Sequence, residues 1–219
     1  MKPPTPPPDA RAAIWQTYGF WAAWVAVAFF TVYPACNGFS AQRDPASWRR
    51  FYLAAELHVP LMPQFIWVYL SMYALFLLPP FFLDVAALQR LGKRLIAGTL
   101  LSGAIFLLFP APIGFIRVLP EDPLYAAIFA RIFALDPPFN TVPSLHVVFS
   151  ALIVGALAYS AQCRWLRGVW YGWLALICLS TLLVHQHHVA DIAAGLLLAL
   201  LLQSRSGVFG AIDGKQEGE

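Results

Sequence analysis

Long uncharged runs of apolar residues constrain the fold of this chain more than any other feature. No charged residue occurs between Arg11 and Arg43, and residues 14–33 form a full-length apolar run within that gap. A helix needs about 20 such residues to cross the hydrocarbon core of a bilayer. The 219-residue chain is 60% hydrophobic and 11% charged, with a mean hydropathy of +0.67, whereas a soluble domain carries about 25% charged residues. The sequence therefore predicts an all-α, polytopic membrane protein.

Six spans are predicted from these runs, at residues 14–33, 64–83, 95–109, 143–163, 168–183 and 187–203. A short amphipathic helix is expected between spans one and two, and another between spans three and four at residues 124–135. A short basic loop with Arg90, Lys93 and Arg94 separates spans two and three. The chain then divides into a disordered N-terminal tail (1–13), a six-span membrane domain (14–204) and a polar C-terminal tail (205–219).

The distribution of positive charge predicts the orientation of the six-span bundle. With the N-terminus inside, the cytoplasmic side carries Lys2, Arg11, Arg90, Lys93, Arg94, Arg164, Arg167, Arg205 and Lys215. The outer side carries Arg43, Arg49, Arg50, Arg117 and Arg131. Because positive residues concentrate on the cytoplasmic side, this orientation is favoured, and it suits a bacterial inner or plasma membrane. Arg117, His146, His187 and Asp191 then all lie at the outer face.

The composition disfavours both a nucleic-acid partner and a cysteine framework. A net charge of +3, scattered along the chain, does not support nucleic-acid binding. The three cysteines, Cys36, Cys163 and Cys178, show no CxxC spacing, so free thiols are expected rather than a disulfide or zinc framework.

Residues 180–195 hold three of the five histidines and an aspartate at the start of an apolar segment. Ionisable groups are costly there and so indicate function. Asp191 follows His187 by four residues, which places both side chains on one face of a helix. A carboxylate on one ring nitrogen leaves the other free to act as a base, nucleophile or ligand.

Residues 140–146, Asn-Thr-Val-Pro-Ser-Leu-His, supply a second half of a site. Pro143 is expected in the first turn of a helix, with Asn140 or Thr141 near the cap. Such a helix start binds anions, Ser144 adds a hydroxyl donor, and His146 points toward the bound group. With Arg117 neutralising charge, this pattern is typical of phosphoryl transfer: His187 attacks phosphorus and His146 protonates the leaving oxygen.

The chain resembles the type-2 phosphatidic acid phosphatase superfamily in two spaced blocks. Pro143-Ser144-Leu145-His146 matches the Pro-Ser-Gly-His block except at Leu145. Ser180-Thr181, then His187 and Asp191, match the spacing of the third block, with Thr181 in place of arginine. The Pro-Ser-Leu-His and Ser-Thr forms, and Pro60-Leu-Met-Pro63, resemble the inositol phosphorylceramide synthase branch.

The first block of that family, Lys, six residues, Arg-Pro, is not intact. Arg117 is the candidate for its arginine, but Val118 follows it and Pro110 stands at the lysine position. Either other groups supply the missing positive charge, or the bound group is less charged than a phosphate monoester, as a phosphodiester is. The candidates for that charge are Arg131, Arg49, Arg50, His58 and His188.

The resemblance implies a metal-independent enzyme that needs no cofactor and acts on a lipid phosphate or phospholipid in the bilayer. His187 is then the nucleophile, Asp191 orients it and His146 is the acid and base, with Ser144, Arg117, Ser180 and Thr181 binding phosphate. Water as acceptor gives a phosphatase, and an alcohol gives a headgroup transferase.

Several non-catalytic interpretations remain open. The His187–Asp191 pair could pin two helices, His185 and His188 could join Asp191 around a metal, and Arg117 could be an interfacial arginine. The chain as a whole could be a non-enzymatic lipid- or metal-binding membrane protein. The oligomeric state is not predicted.

Overall fold

The computed structural model describes residues 8–204, and all regular structure in that range is helical apart from one isolated bridge between Ala111 and Asn140. The predicted all-α class is therefore confirmed for the described residues. The helices are α1 (Pro8–Ala41), α2 (Ile66–Leu70), α3 (Met72–Leu77), α4 (Pro79–Phe82), α5 (Val85–Leu108), α6 (Pro123–Leu135), α7 (Leu145–Ser160), α8 (Arg164–Leu183) and α9 (Val189–Gln203).

Three helices in the described part of the chain are long and apolar enough to cross a membrane: Asp9–Ala41, Val85–Leu108 and Arg164–Leu183. Four further apolar segments are shorter: Pro63–Leu77, Pro123–Leu135, Leu145–Ser160 and Val189–Gln203. The long helices expose large apolar side chains, for example Phe30 (71%) on α1, Leu108 (70%) on α5 and Trp165 (76%) on α8. Such surfaces are rare on soluble monomers and are compatible with a lipid environment.

The core of the bundle is built around α7. This helix packs against α3, α5, α8 and α9, and most of its residues from Leu145 to Ala158 are buried. The remaining major contact, between α1 and α5, is close because α5 carries glycine at two crossing points. A Cβ at Gly92 would lie 2.5 Å from the Trp21 ring, and one at Gly103 would lie 2.4 Å from Val32.

Two predicted boundaries are wrong. Residues 8–13, assigned to the N-terminal tail, are helical, because α1 begins at Pro8, which has no N–H to leave unpaired at a helix start. Residues 1–7 and the C-terminal tail (205–219) lie outside the described residues. The residues of the predicted basic loop lie inside α5, which starts earlier because Asp84 caps it by accepting a hydrogen bond from Ala87 N at 2.7 Å.

The amphipathic helix expected between spans one and two is also absent from the structure. That segment instead forms short 3-10 turns at Pro45–Ser47, Ala54–His58 and Pro63–Phe65. Two of these turns begin at a proline, which cannot donate to a continuing helix. The second predicted short helix is present as α6, where Asp122 caps the first turn by accepting from Leu124 N and Tyr125 N.

Candidate functional site

His187 and Asp191 meet at the start of α9. The two side chains are 7% and 1% exposed, and His187 Nδ1 lies 3.3 Å from Asp191 Oδ2. His187 is in the loop before the helix rather than on it, so the predicted spacing brings the pair together across a helix start. The loop is fixed by the Thr181 carbonyl, which accepts hydrogen bonds from the backbone N–H groups of Gln186 and His187, both at 3.0 Å.

His146 faces His187 from the first turn of α7. The ring centroids are 6.0 Å apart with an interplanar angle of 57°. The His146 ring stacks on Tyr69 at 4.3 Å, and its Nδ1 lies 3.4 Å from the Tyr69 hydroxyl. The other ring nitrogen, Nε2, is buried without a hydrogen-bond partner among the described residues. The two predicted histidines are therefore together, and His146 keeps one nitrogen free for a ligand.

Ser144 holds this geometry instead of presenting its hydroxyl to a cavity. Its Oγ caps α7 by accepting from Val147 N at 3.4 Å, and its backbone N–H donates to the Asp191 carbonyl at 3.1 Å. The predicted cap at Asn140 or Thr141 is therefore wrong, and Pro143 precedes the helix in a cis peptide bond. The serine joins the starts of α7 and α9, where a Cβ at Gly195 would lie 2.9 Å from the Ser144 carbonyl oxygen.

The hydroxyl groups of Ser180 and Thr181 are not directed at the histidines. Ser180 Oγ donates to the Ile177 carbonyl at 2.7 Å, and Thr181 Oγ1 donates to the Cys178 carbonyl at 2.8 Å. Neither residue lines the cavities described below. Both hydroxyls are satisfied within α8, and Thr181 acts on the site through its backbone carbonyl.

An apolar cavity of about 690 Å³ ends at the two histidines. We call it the apolar cavity; it lies among α1, α2, α3, α5, α6 and α7. The polar side chains at this end are Tyr33, Tyr69, Asp136, Asn140, His146 and His187. The rest of the lining is mainly apolar and aromatic, as in pockets that bind hydrophobic ligands.

A second, much smaller space of about 10 Å³, here called the polar cleft, lies beside His187. Its volume is close to that of one water-sized probe. Four residues, Tyr33, Asp136, Asn140 and His187, line both the polar cleft and the apolar cavity. The polar cleft adds Arg117, so this arginine and His187 share one space.

Arg117 is half-buried, and backbone carbonyl groups of the protein accept hydrogen bonds from its guanidinium. Its guanidinium donates to the Asp136 carbonyl at 2.7 Å and to the Phe133 carbonyl at 3.4 Å, and it lies over the Phe133 ring at 4.8 Å. Its Nε has no hydrogen-bond partner within residues 8–204. Burial lowers the pKa of Arg117, and Asp136 acts in the opposite direction. The arginine is thus tied to the loop after α6 and still faces the polar cleft.

Asp136 is a site residue that the sequence argument passed over. Its Oδ1 accepts a hydrogen bond from the Tyr33 hydroxyl, and burial raises the pKa of its carboxyl group, against the effects of Tyr33, His187 and Arg117. The sequence did contain a sign of it, because this charged residue lies four positions before Asn140, directly upstream of the Pro-Ser-Leu-His block. Tyr69, in contrast, comes from a distant apolar segment and carried no signal.

The two other histidines of the cluster line neither cavity. They belong to a group of contacting loop residues, here called the loop clamp: Tyr52, Glu56, Phe115, His185 and His188. Four rings stack in the order Tyr52, His188, Phe115, His185, with centroid separations of 4.5, 4.4 and 4.0 Å. His188 Nε2 accepts from Gly114 N at 3.0 Å, so Nδ1 carries the proton and donates to Glu56 Oε2 at 3.1 Å.

Glu56 completes this clamp from the loop after α1. Its Oε2 also accepts from Val189 N at 2.9 Å, and its Oε1 accepts from Leu53 N at 3.0 Å. Burial acts to raise the pKa of Glu56, but these hydrogen bonds and His188 together hold it below its usual value. Because His188 N donates to Asp191 Oδ2 at 2.8 Å, the clamp also supports the carboxylate that holds His187.

The open interpretation of a metal site at His185, His188 and Asp191 is not supported. His185 Nε2 lies 2.9 Å from the Val59 carbonyl, and both ring nitrogens of His188 are occupied as described. Within residues 8–204, no group of three or more His, Cys, Asp or Glu side chains is arranged to hold a metal ion. The three cysteines are free thiols, as predicted.

Comparison with known proteins finds one similarity, in the C-terminal part of the chain. Residues 118–204 match the family model described as the PAP2 superfamily, a segment that contains His146, His187 and Asp191. No curated protein and no solved structure matches the chain. The predicted resemblance to type-2 phosphatidic acid phosphatases is confirmed, and the match supports phosphatase or phosphotransferase activity on phosphate esters.

Proposed function

We propose that this chain, whose residues 118–204 match the PAP2 superfamily model, is a lipid-phosphate phosphatase or phosphotransferase that works through a phosphohistidine intermediate. One observation carries the proposal. The rings of buried His187 and partly buried His146 lie 6.0 Å apart at the end of the apolar cavity, and His187 is paired with a carboxylate.

The geometry supports distinct roles for the two histidines. Asp191 holds Nδ1 of His187, which leaves Nε2 as the nucleophile that attacks phosphorus. As the P–O bond to the lipid breaks, His146 donates a proton to the leaving oxygen through Nε2, the nitrogen that is buried without a partner. In the second step His146 takes a proton from water or an alcohol, whose oxygen attacks phosphorus and breaks the N–P bond.

Arg117 is proposed to stabilise charge on the phosphoryl oxygens from the polar cleft, since it shares that space with His187. The chemistry needs no metal under this proposal. Ser144 and Thr181 are assigned positioning roles, because their polar groups hold α7, α9 and the loop before α9.

We further propose that the chain spans the membrane six times, with the segment Pro63–Leu77, α7 and α9 completing the three long helices. α7 is mostly buried inside the bundle, and α9 packs against it with exposed leucines on its outer side, which supports this count although each helix is shorter than the bilayer core. With the N-terminus inside, the site lies at the outer face, and a bacterial inner or plasma membrane is the proposed location.

A phosphodiester headgroup transferase is the second candidate, and one observation favours it. Of the groups that could replace the missing lysine, Arg49, Arg50, His58 and Arg131 are exposed and line neither cavity. His188 is enclosed in the loop clamp. Of the positively charged groups considered, Arg117 is therefore the one that lines the polar cleft, beside the carboxylate of Asp136. One cation next to a carboxylate suits a singly charged phosphodiester better than a dianionic monoester.

The test is to trap the intermediate from lipid phosphates labelled with ³²P in the phosphoryl group, using the purified protein in detergent. Acid-labile label on the protein is expected from the wild type and absent from His187→Ala. His146→Ala should lose turnover of lipid phosphates and still accept label from an activated aryl phosphate, whose leaving group needs no acid. The matched control is His58→Ala, since His58 is exposed. Unchanged turnover in His187→Ala would refute the mechanism.

Free phosphate and new phosphodiester are then measured with and without alcohol acceptors. Phosphatidic acid, an isoprenyl diphosphate and phosphatidylinositol serve as donors. Release of phosphate assigns hydrolysis, and formation of a new phospholipid assigns transfer. A protein that binds these lipids but turns over none of them belongs to the non-enzymatic class.

A further inference from the structure

The polar side chains that line the polar cleft differ in how far the protein already uses them. Three of them form hydrogen bonds to other protein groups: Asn140, Thr141 and Gln186. Three others keep hydrogen-bonding capacity for a ligand: Arg117 through Nε, Asp136 through Oδ2 and His187 through Nε2. A phosphoryl group beside His187 therefore meets one cation, one carboxylate and the nucleophile.

The carboxylate of Asp136 is not paired with this cation. The Arg117 guanidinium donates to the backbone carbonyl of Asp136 at 2.7 Å, and within residues 8–204 no ion pair includes the Asp136 carboxylate. The carboxylate instead accepts a hydrogen bond from the Tyr33 hydroxyl on α1. Asp136 lines both the polar cleft and the apolar cavity, as His187 does. Its negative charge thus lies beside the space in which the phosphate would bind.

The charge of the site depends on the kind of phosphate that enters it. When His187 is neutral, as a nucleophile must be, the charges of Arg117 and Asp136 cancel. A phosphodiester then leaves one negative charge in the site, whereas the dianion of a phosphate monoester leaves two. Two anionic groups that share a site do not both stay ionised, and one of them takes up a proton. A dianionic phosphate therefore needs a proton that a phosphodiester does not need.

We propose that Asp136 determines which phosphate charge the enzyme accepts. A singly charged phosphate binds directly. A dianionic monoester binds only together with one proton from solvent, which is shared between the phosphate oxygens and the Asp136 carboxylate. This inference rests on the proposed function, because the phosphate concerned is the one that His187 attacks. It goes further by assigning the selection to a residue that lies outside the three sequence blocks of the family.

The surroundings of Asp136 suit a carboxyl group that takes up a proton when an anion arrives. Titratable groups face it from five parts of the fold: Tyr33 on α1, Tyr69 on α2, Tyr73 on α3, Arg117 in the loop after α5 and His187 in the loop before α9. Burial raises the pKa of Asp136, while the Tyr33 hydrogen bond, His187 and Arg117 lower it. A bound dianion adds a like charge, which raises this pKa further. The carboxyl group is therefore placed to gain its proton as the dianion binds.

The first experiment compares dodecyl phosphate, a monoester, with dodecyl methyl phosphate, a diester that stays singly charged. Release of dodecanol by the purified protein gives kcat/KM for both substrates at several pH values above and below about pH 6, where a phosphate monoester loses its second proton. Titration of the two histidines affects both substrates and cancels in the ratio of their kcat/KM values. In the wild type, the monoester-to-diester ratio should fall about 10- to 100-fold between about pH 6 and about pH 8.

Two substitutions should change this ratio in different ways. Asp136→Asn removes the charge at nearly constant size, so the ratio should stay within about threefold over the same pH range. Tyr33→Phe removes a hydrogen bond that favours the charged carboxylate and so raises the pKa of Asp136; the fall should begin at higher pH. Glu121→Gln, at an exposed residue, should match the wild type.

The pH profile separates selection by Asp136 from a structural role. If Asp136 only tied α1 to the loop after α6 through Tyr33, both substitutions would lower Tm and leave the pH profile of the ratio unchanged. Tyr33→Phe leaves the carboxylate in place, so the test stays decisive if Asp136→Asn does not fold.

The second experiment measures proton uptake on binding, which does not depend on the reaction. Dodecylphosphonic acid has two ionisable oxygens and dodecyl(methyl)phosphinic acid has one, and neither has an ester bond for His187 to break. Calorimetric titration in two buffers with different heats of ionisation gives the number of protons taken up with each ligand. At about pH 8 the wild type should take up protons with the phosphonate and none with the phosphinate, and Asp136→Asn should take up none with either.

The two experiments distinguish failure of this inference from failure of the reaction mechanism. A constant monoester-to-diester ratio in the wild type, or equal proton uptake by the wild type and Asp136→Asn, would overturn the role of Asp136 and leave the phosphohistidine mechanism standing. Proton uptake that depends on Asp136, with no turnover and no label on the protein, would do the reverse.

Discussion

Glu56 gives the sharpest test of how the loops around the site are held, although it contacts neither catalytic histidine. Replacing it by alanine removes the acceptor for His188 Nδ1, Val189 N and Leu53 N. Leu53 is 71% exposed, so water can replace its bond, whereas His188 is 1% exposed. An unpaired buried N–H costs about 1–3 kcal/mol, and a partly buried hydrogen bond contributes about 1 kcal/mol. Glu56→Ala should therefore lower the free energy of unfolding by about 2–4 kcal/mol.

For a chain of this size, 1 kcal/mol corresponds to about 2–4 °C in Tm, so Tm should fall by roughly 4–16 °C. The measurement is thermal unfolding of detergent-purified protein in a Cys163→Ser background, because the exposed Cys163 thiol would react before unfolding; a thiol-reactive dye then reports exposure of buried Cys36. The matched control is Glu121→Ala, because Glu121 is exposed. Glu56→Gln keeps an acceptor oxygen and should lie between the two. A Tm for Glu56→Ala equal to that of Glu121→Ala would refute the clamp.

Two further substitutions test the surroundings of the histidines. Tyr69→Phe keeps the ring stack on His146 but removes the hydroxyl group that lies 3.4 Å from His146 Nδ1. The kcat should fall about 10- to 100-fold while KM stays unchanged. The pH–rate profile should also shift. Tyr73→Phe, in the same cavity, is the control, and equal kcat values for the two variants would exclude a positioning role. Arg117→Ala should reduce kcat by about 10²-fold or more, whereas Arg131→Ala, at an exposed residue, should leave kcat unchanged. Equal kcat values for the two variants would show that Arg117 only holds the loop after α6 and does not stabilise the phosphoryl group.

Much of the site was predictable because its residues are close in the sequence or stand in fixed motifs. The four-residue spacing of His187 and Asp191 favours a contact between them near a helix start, and the Pro-Ser-Leu-His block places its histidine within one turn of a helix. Apolar run lengths likewise gave the all-α class and the main helices. Their ends were less accurate, because caps such as Asp84 and Ser144 decide them and several residues could have played that part.

Tertiary structure alone decided the rest, since it depends on contacts between segments far apart in the chain. Nothing in the order of residues indicates that Tyr69 stacks on His146, 77 positions away, or that Glu56 reaches His188 across 132 positions. The sequence determined which groups could do the chemistry, through local spacing and polarity. Packing determined which of them face the cavity, because only the folded bundle fixes which side chains can satisfy one another and which remain free.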